Sequence, residues 1–193
     1  MRPLQLVAAA VFAVSALIQP TPVRAQAVQI ERIDISEVGI YCADTIGRIP
    51  FDEHPGGFRN IVTNIKLLKQ TTEIPALLGT RFGFYYAVAG RPHGASSTLR
   101  TVTKYPSPGL RDPDQGKTFL TSGHSYAATI GGTGYQGYHL EYDWEVVPGV
   151  WTFEFWQQDR KVGEQRLTLV EPQRHDQRRL TCAPQISRLM QPR

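Results

Sequence analysis

Apolar and polar residues alternate with a period of two along most of the chain after residue 26. In residues 151–155 (WTFEF), Trp151, Phe153 and Phe155 fall on one face, and Thr152 and Glu154 fall on the other. Side chains alternate in this way on a β-strand, and almost no segment of this region has the spacing of a helix. The pattern therefore predicts an all-β fold whose core contains the three rings.

Turn residues separate the predicted strands at short intervals. The predicted strands cover residues 28–35, 60–69, 81–88, 99–104, 125–130, 139–145, 151–155 and a last segment around Leu167 and Leu169. Seven or eight short strands at this spacing are typical of a sandwich or barrel, and alternation favours antiparallel sheets with one wet face. We expect an immunoglobulin-like antiparallel β-sandwich.

Several segments are less regular. The apolar positions change phase between Ile30 and Ile33, which indicates a β-bulge or a crossing from one sheet to the other. Residues 42–59 have no clean period and are predicted to form a long connection, and the Pro-, Gly- and Asp-rich residues 105–117 are predicted to form a loop. In residues 139–145, alternation places Leu140, Tyr142 and Trp144 on an apolar face and leaves four side chains on a solvated face: His139, Glu141, Asp143 and Glu145.

The start of the chain is organised like a secretory signal peptide. Arg2 precedes an apolar run over residues 4–18, and small residues follow at Ala25 and Ala27, which predicts cleavage after one of these two alanines. The run is too short to span a bilayer, so we expect no stable membrane anchor after cleavage. The predicted organisation is a signal peptide (1–25), a β-sandwich domain (26–170) and an Arg-rich tail (171–193), in the periplasm or secreted.

Charge is balanced in the body of the chain. The whole sequence has 21 Lys and Arg against 17 Asp and Glu, but residues 26–170 hold 14 basic and 15 acidic residues. Five arginines follow Val170. A nucleic-acid-binding domain needs a basic face on its folded body, so we expect no nucleic-acid partner.

Cys42 and Cys182 are the only cysteines. An exported protein folds in an oxidising space, which favours a disulfide between them. A reactive or metal-binding pair is the alternative, but the sequence has neither CxxC spacing nor clustered histidines.

No motif points clearly to catalysis, a metal or a cofactor. GHSYA at residues 123–127 resembles the nucleophile elbow of hydrolases, but it is not followed by the helix that the elbow requires. The enzymatic alternative is a small secreted hydrolase that uses His93, His124 or Ser125 from loops. Residues on one strand face lie too far apart to surround an ion by themselves, so we expect neither a metal site nor a cofactor.

Aromatic residues are the remaining functional lead. The loop segments 105–117 and 121–136 together combine tyrosine, glycine, serine and a histidine, and loops on a rigid scaffold often carry binding sites. We expect the binding residues to be Tyr105, His124, Tyr126 and Tyr135. Tyr85 and Trp156 fall on the phase opposite the core and are candidates for an exposed face.

Two segments resemble a known family. IPALLGTRFGF (residues 74–84) and WEVVPGVWTFEFWQQDRKVGEQRLTLV (144–170) are similar to an exported bacterial family, domain of unknown function 3859. The resemblance runs from ISEVGIY (35–41) to Val170. It implies a small β-rich envelope domain and supplies no substrate, cofactor or catalytic residue. We therefore expect a non-enzymatic binding or structural module whose partner is a protein or another component of the cell envelope.

Overall fold

The computed structural model describes residues 27–173 together with residues 176 and 182. The predicted signal peptide and most of the predicted tail lie outside the described residues. The two boundaries between the three predicted segments therefore stay predictions.

The described residues form eleven strands, and eight of them are longer than three residues. This agrees with the seven or eight strands predicted from the sequence. The strands are β1 (Gln29–Pro50), β2 (Phe58–Gln70), β3 (Glu73–Pro75), β4 (Arg81–Arg91), β5 (Ser96–Lys104), β6 (Leu110–Asp112), β7 (Lys117–Phe119), β8 (Thr121–Thr129), β9 (Thr133–His139), β10 (Gly149–Gln157) and β11 (Arg160–Val170).

Two sheets form the body of the fold. One has the strand order β2-β1-β4-β9 and the other has the order β3-β11-β10-β5-β8. All pairs in these sheets are antiparallel except β3 with β11. The predicted all-β, antiparallel sandwich of the immunoglobulin-like type, with two packed sheets, is confirmed.

Aromatic rings from β4 and β10 meet between the two sheets. Phe82 contacts Trp151 edge to face with ring centroids 5.4 Å apart, and Phe84 contacts Phe153 and Phe155 at 5.5 and 6.1 Å. All five side chains are buried. The core prediction is confirmed for the three rings of β10, because period two on a central strand places them on its inner face.

The first strand is much longer than predicted. Residues 42–50, predicted to lie in a connection, continue β1 and pair with β2 as far as Pro50. Register shifts at three places between Ile40 and Gly47 move the side chains from one face to the other, and bulges of this kind hide a period of two. The predicted phase change is confirmed, since β1 also shifts register against β4 between Ile30 and Arg32.

The predicted strand at residues 139–145 is wrong. β9 ends at His139, and a single 3-10 turn follows over Asp143–Glu145. Trp144 is half-buried, and Glu145, predicted on a solvated face, is only 3% exposed. Its carboxylate accepts hydrogen bonds from the backbone N–H groups of Glu141 and Tyr142. The segment therefore folds back on itself, and the alternation in its sequence does not come from a strand.

The predicted loop at residues 105–117 contains structure of its own. β6 and β7 pair as a small hairpin. Tyr105, predicted to present its ring from a loop, is buried in the core and bonds to the Ser122 hydroxyl. Its ring packs against Tyr138 and Trp151 at 6.0 and 5.0 Å, and these core contacts bury it although turn residues follow it.

A disulfide joins Cys42 in β1 to Cys182, which confirms the predicted bridge. Among the described residues, no helix is long and apolar enough to cross a membrane.

Candidate ligand-binding cavity

A cavity of about 160 Å³ opens where the edges of the two sheets come together. β2 and β9 are the two edges of the four-stranded sheet, and β8 is an edge of the other. The long β1–β2 hairpin brings residues 51–62 over this region, so both edges of one sheet line the same cavity. Thr101 and Thr103 of β5 and residues 122–124 of β8 complete the wall.

Two arginines supply the positive charge of the cavity. Arg81, at the start of β4, is only 9% exposed. Its guanidinium donates to Thr45 Oγ1 at 3.2 Å and to His139 Nδ1 at 3.2 Å. Arg59 lies across the cavity with its guanidinium carbon 6.0 Å from the Phe51 ring centroid. Burial lowers the pKa of both arginines, although such groups stay charged near neutral pH.

Glu141 fastens the β1–β2 hairpin to the end of β9. One of its carboxylate oxygens accepts from Arg48 at 3.1 Å, and the other accepts from the Asn60 amide at 2.9 Å. His139 Nδ1 lies 3.3 Å from the same carboxylate. This negative charge is therefore already matched by Arg48, which extends from the outer part of β1.

Glu145 contributes a second carboxylate to the cavity. It accepts hydrogen bonds from the Tyr138 hydroxyl at 2.6 Å and from the backbone N–H groups of Glu141 and Tyr142 at 2.6 and 2.9 Å. Burial raises the pKa of Glu145 to about 7, and the three donors only partly offset this effect. Near neutral pH the group is thus divided between its charged and neutral forms.

Three histidines line the cavity and are neutral at pH 7. Burial lowers the pKa of each, and for His124, where Arg59 and His54 add to the effect, the pKa falls to about 4. His54 stacks on Tyr138 at 5.5 Å, and His124 Nδ1 lies 3.1 Å from Thr101 Oγ1. Neutral imidazoles leave the two arginines as the cationic groups in the cavity wall.

Two polar atoms of the cavity wall are buried without a hydrogen-bond partner among the described residues: Asn60 Oδ1 and the Tyr135 hydroxyl. Glycines on β4 and β9 make room for the Tyr135 ring. A Cβ atom at Gly137 would lie 2.5 Å from the Tyr135 hydroxyl, and one at Gly83 would lie 2.9 Å from it. Buried polar groups usually have partners, so two exceptions in one cavity call for an explanation.

The β6–β7 hairpin holds the residues that cover the cavity. The Asp112 carboxylate accepts from the Gly56 N–H at 2.8 Å and from Gln115, whose amide also donates to the His54 carbonyl at 3.1 Å. Burial raises the pKa of Asp112, but four hydrogen bonds outweigh it and the net pKa is lowered. The segment over the cavity is therefore tied to a separate element.

The residues predicted from sequence only partly meet here. His124 and Tyr135 line the cavity, but they stand on β8 and β9 and not on loops. Tyr126 stacks on His124 at 5.3 Å and bonds to the Tyr86 hydroxyl at 2.7 Å, outside the cavity lining. Tyr105 does not line the cavity: it is buried in the core, and its hydroxyl is hydrogen-bonded to that of the lining residue Ser122. The exposed-face candidates Tyr85 and Trp156 are both half-buried.

The groups proposed for a hydrolase do not come together. His93 is exposed in the turn after β4, and Ser125 is exposed on β8, where it follows His124 and so points to the opposite face. The described residues contain no hydrogen bond among the three. They also contain no group of three or more His, Cys, Asp or Glu side chains that could hold a metal ion.

Sequence reasoning missed Arg81, Arg59 and Asn60. Arg81 opens an apolar strand and Asn60 sits in an alternating one, so each looked like an ordinary polar position. The bulges in β1 extend its pairing with β2 to Pro50 and so bring β2 over β9. The pattern of apolar and polar residues does not show these bulges, so it gave no signal for the cavity.

The fold and the cavity define a small antiparallel β-sandwich domain with a polar pocket at its sheet edges, lined by two arginines and two glutamates. The chain belongs to the family described as domain of unknown function DUF3859, which matches residues 29–169. This confirms the resemblance seen in the sequence.

Solved structures include two similar chains. An immunoglobulin-like protein from Pseudomonas aeruginosa is 26% identical with a TM-score of 0.47, and the alignment covers 72% of this chain and 95% of that one. A β-glucosidase from Kluyveromyces marxianus is 10% identical with a TM-score of 0.30, over 73% of this chain and 14% of that one. No curated protein matches the chain.

Proposed function

We propose that this chain is an exported, non-enzymatic binding module of the cell envelope, which works in the periplasm or after secretion and takes part of its partner into the cavity. The observation that carries this proposal is the pair of unpartnered polar atoms, Asn60 Oδ1 and the Tyr135 hydroxyl, in a cavity that a separate hairpin holds in place. A polar site prepared in this way supports recognition. The partner is a protein or another envelope component.

Export is supported by the order of charge, apolar run and small residues at the start of the sequence. The disulfide adds to it, because such bonds persist in oxidising compartments.

The hydrolase alternative is the weaker proposal. The Ser122 hydroxyl lies 2.5 Å from the Tyr105 hydroxyl, and His124 Nδ1 faces Thr101, so no serine of the cavity is paired with a histidine. Glu145 accepts three hydrogen bonds from its own chain, and Glu141 is held by Arg48 and Asn60. Nucleophilic catalysis requires a nucleophile and an effective base within hydrogen-bond reach of each other. Thr101 Oγ1 lies 3.1 Å from His124 Nδ1, but the pKa of that imidazole, lowered to about 4, makes it a poor base near neutral pH.

The test is capture of an envelope component by the purified protein, with one variant that fills the cavity and one that does not. Val62 lines the cavity, whereas its neighbour Ile61 is 41% exposed and absent from the lining. We expect Val62→Trp to lose capture and Ile61→Trp, a matched increase in volume, to retain it. Equal capture by the two variants, or none by the unmodified protein, would contradict the proposal.

A further inference from the structure

The buried guanidinium of Arg81 makes no direct ion pair among the described residues, and burial lowers its pKa although the nearby charge of Glu141 acts in the opposite direction. Among the described residues, no carboxylate oxygen lies within 4 Å of its guanidinium, because the ion pairs of this region belong to other cations, including Arg48 with Glu141. Its contacts are a hydroxyl and a neutral imidazole. A charge removed from water is expensive unless it is paired, so a buried guanidinium that faces a cavity favours an anion there.

The two unpartnered atoms add a more specific requirement. The Tyr135 hydroxyl can donate to an anion, whereas Asn60 Oδ1 can only accept. The Asn60 amide nitrogen is already used by Glu141, which lies beside His139, the residue that Arg81 contacts. The cavity wall therefore contains two donors, the Arg81 guanidinium and the Tyr135 hydroxyl, and one unused acceptor, Asn60 Oδ1. Contacts through Glu141 and His139 connect Asn60 to Arg81.

We propose that the cavity binds a carboxylate that carries a hydrogen-bond donor, a hydroxyl or an N–H, on the adjacent carbon. Arg81 and the Tyr135 hydroxyl bind the carboxylate, and Asn60 Oδ1 accepts from the neighbouring donor. This inference rests on the proposed function and names the chemistry of the ligand.

Size limits the ligand to a small anion, and charge favours a monocarboxylate over a doubly charged one. A cavity of about 160 Å³ is close to the roughly 150 Å³ that holds one benzene, so about six non-hydrogen atoms fit inside. Lactate and alanine have this size, either free or as the end group of a larger molecule. Sulfate has no donor for Asn60 Oδ1, and sulfate or doubly charged phosphate would bring two negative charges towards Glu141.

The test is an NMR titration of the full chain with small acids. Lactate and alanine represent free acids, and N-acetylalanine represents a chain end that carries an N–H. Propionate lacks the donor, and N-acetylalaninamide lacks the carboxylate. We expect at least one of the first three to bind at least ten times more tightly than propionate, and the amide not to bind. Binding of propionate or inorganic phosphate at equal strength, or no binding of any acid, would overturn the proposal.

Tyr135→Phe gives a second test that is independent of folding defects. It removes only an unpartnered hydroxyl, so the free variant should melt at the same temperature as the unmodified protein or higher, while acid affinity falls at least tenfold. Tyr85→Phe changes the neighbouring ring, 5.5 Å away and outside the cavity lining, and should leave affinity unchanged. Equal affinity of Tyr135→Phe and the unmodified protein would contradict the assignment.

The two proposals can fail separately. If no acid binds but Val62→Trp still abolishes envelope capture, the carboxylate assignment falls and the binding module stands. If capture is also insensitive to Val62→Trp, both fall.

Discussion

At the scale of single residues, Glu145 is a buried carboxyl group that accepts hydrogen bonds from the Tyr138 hydroxyl and from two backbone N–H groups. Its pKa of about 7 in the folded chain lies above the ordinary value of 4.5. The folded state therefore binds more protons than the unfolded state between these two pH values. The stability contributed by the protonated group is present below about pH 4.5 and is lost as the pH rises through 7.

Glu145→Gln should remove this pH dependence. A glutamine oxygen can accept from both backbone N–H groups, and its amide can donate to the Tyr138 hydroxyl. At roughly 1.4 kcal/mol per pKa unit, the unmodified protein should lose about 3 kcal/mol of unfolding free energy between pH 4.5 and pH 8 that the variant keeps. Urea unfolding at several pH values measures this difference. Parallel profiles for the two proteins would show that Glu145 titrates normally.

Phe153 is one of the fully buried rings of the apolar core. It is 1% exposed and contacts both Phe82 and Phe84. Phe153→Ala should lower the unfolding free energy by about 3–5 kcal/mol, the usual loss for a core aromatic. Val150→Ala, on the same strand at 48% exposure, should cost less than about 1 kcal/mol. Chemical denaturation of the two variants checks the contrast.

The burial of single aromatic rings could be predicted only where the sequence also predicted the strand that carries them. Trp151, Phe153 and Phe155 follow one unbroken strand, so alternation placed them correctly. Trp144 and Tyr105 lie beside turns, where burial is decided by contacts between distant segments. The sequence pattern therefore predicted an exposed Tyr105 and a buried Trp144. In the structure Tyr105 is buried and Trp144 is only half-buried. We now expect Tyr105→Ala to destabilise the fold.

At the scale of elements, the small β6–β7 hairpin determines whether residues 54–57 stay over the cavity. Asp112 accepts one backbone hydrogen bond from this segment and three from residues of its own hairpin. Its lowered pKa means that this stability is present above the ordinary carboxyl pKa and is lost as the pH falls through the folded pKa.

Asp112→Ala should therefore loosen the cover of the cavity. The Gly56 N–H loses its acceptor, so its hydrogen exchange should accelerate, and the unfolding free energy should fall by about 1–3 kcal/mol at pH 7. The difference from the unmodified protein should shrink in acid. Asp114→Ala is the control, because that side chain is exposed on the same hairpin. Unchanged exchange at Gly56 would show that the hairpin does not hold the segment.

The elements of the second sheet were predicted better than those of the first. β5, β8, β10 and β11 have regular pairing apart from one shift, whereas β1 has register shifts against both of its neighbours. A bulge adds a residue without changing composition, so it removes the period of two from an intact strand. The cavity depends on those bulges, because they carry the β1–β2 hairpin over β9. Only two of the four expected binding residues line it, since Tyr105 is buried in the core and Tyr126 lies outside the lining.

At the scale of the whole molecule, the disulfide between Cys42 and Cys182 joins positions 140 residues apart. Denatured protein taken from the envelope should contain no free thiol. Reduction should lower the unfolding free energy by on the order of 4 kcal/mol, because the open chain gains entropy in the unfolded state. Unfolding midpoints with and without reductant measure this, and the Cys42→Ser, Cys182→Ser double variant should be insensitive to reductant. Two titratable thiols would contradict the bond.

The same bond also makes a covalent ring of the chain from β1 to Cys182. Every connection that follows β1, including the exposed Asp52 and Glu53 beside the cavity, lies inside this ring. A protease that cuts there once opens the ring but releases no fragment. The nicked protein should migrate as one species on a non-reducing gel and as two after reduction. A sandwich bridged in this way keeps its two halves together after a cut that would separate those of an unbridged sandwich.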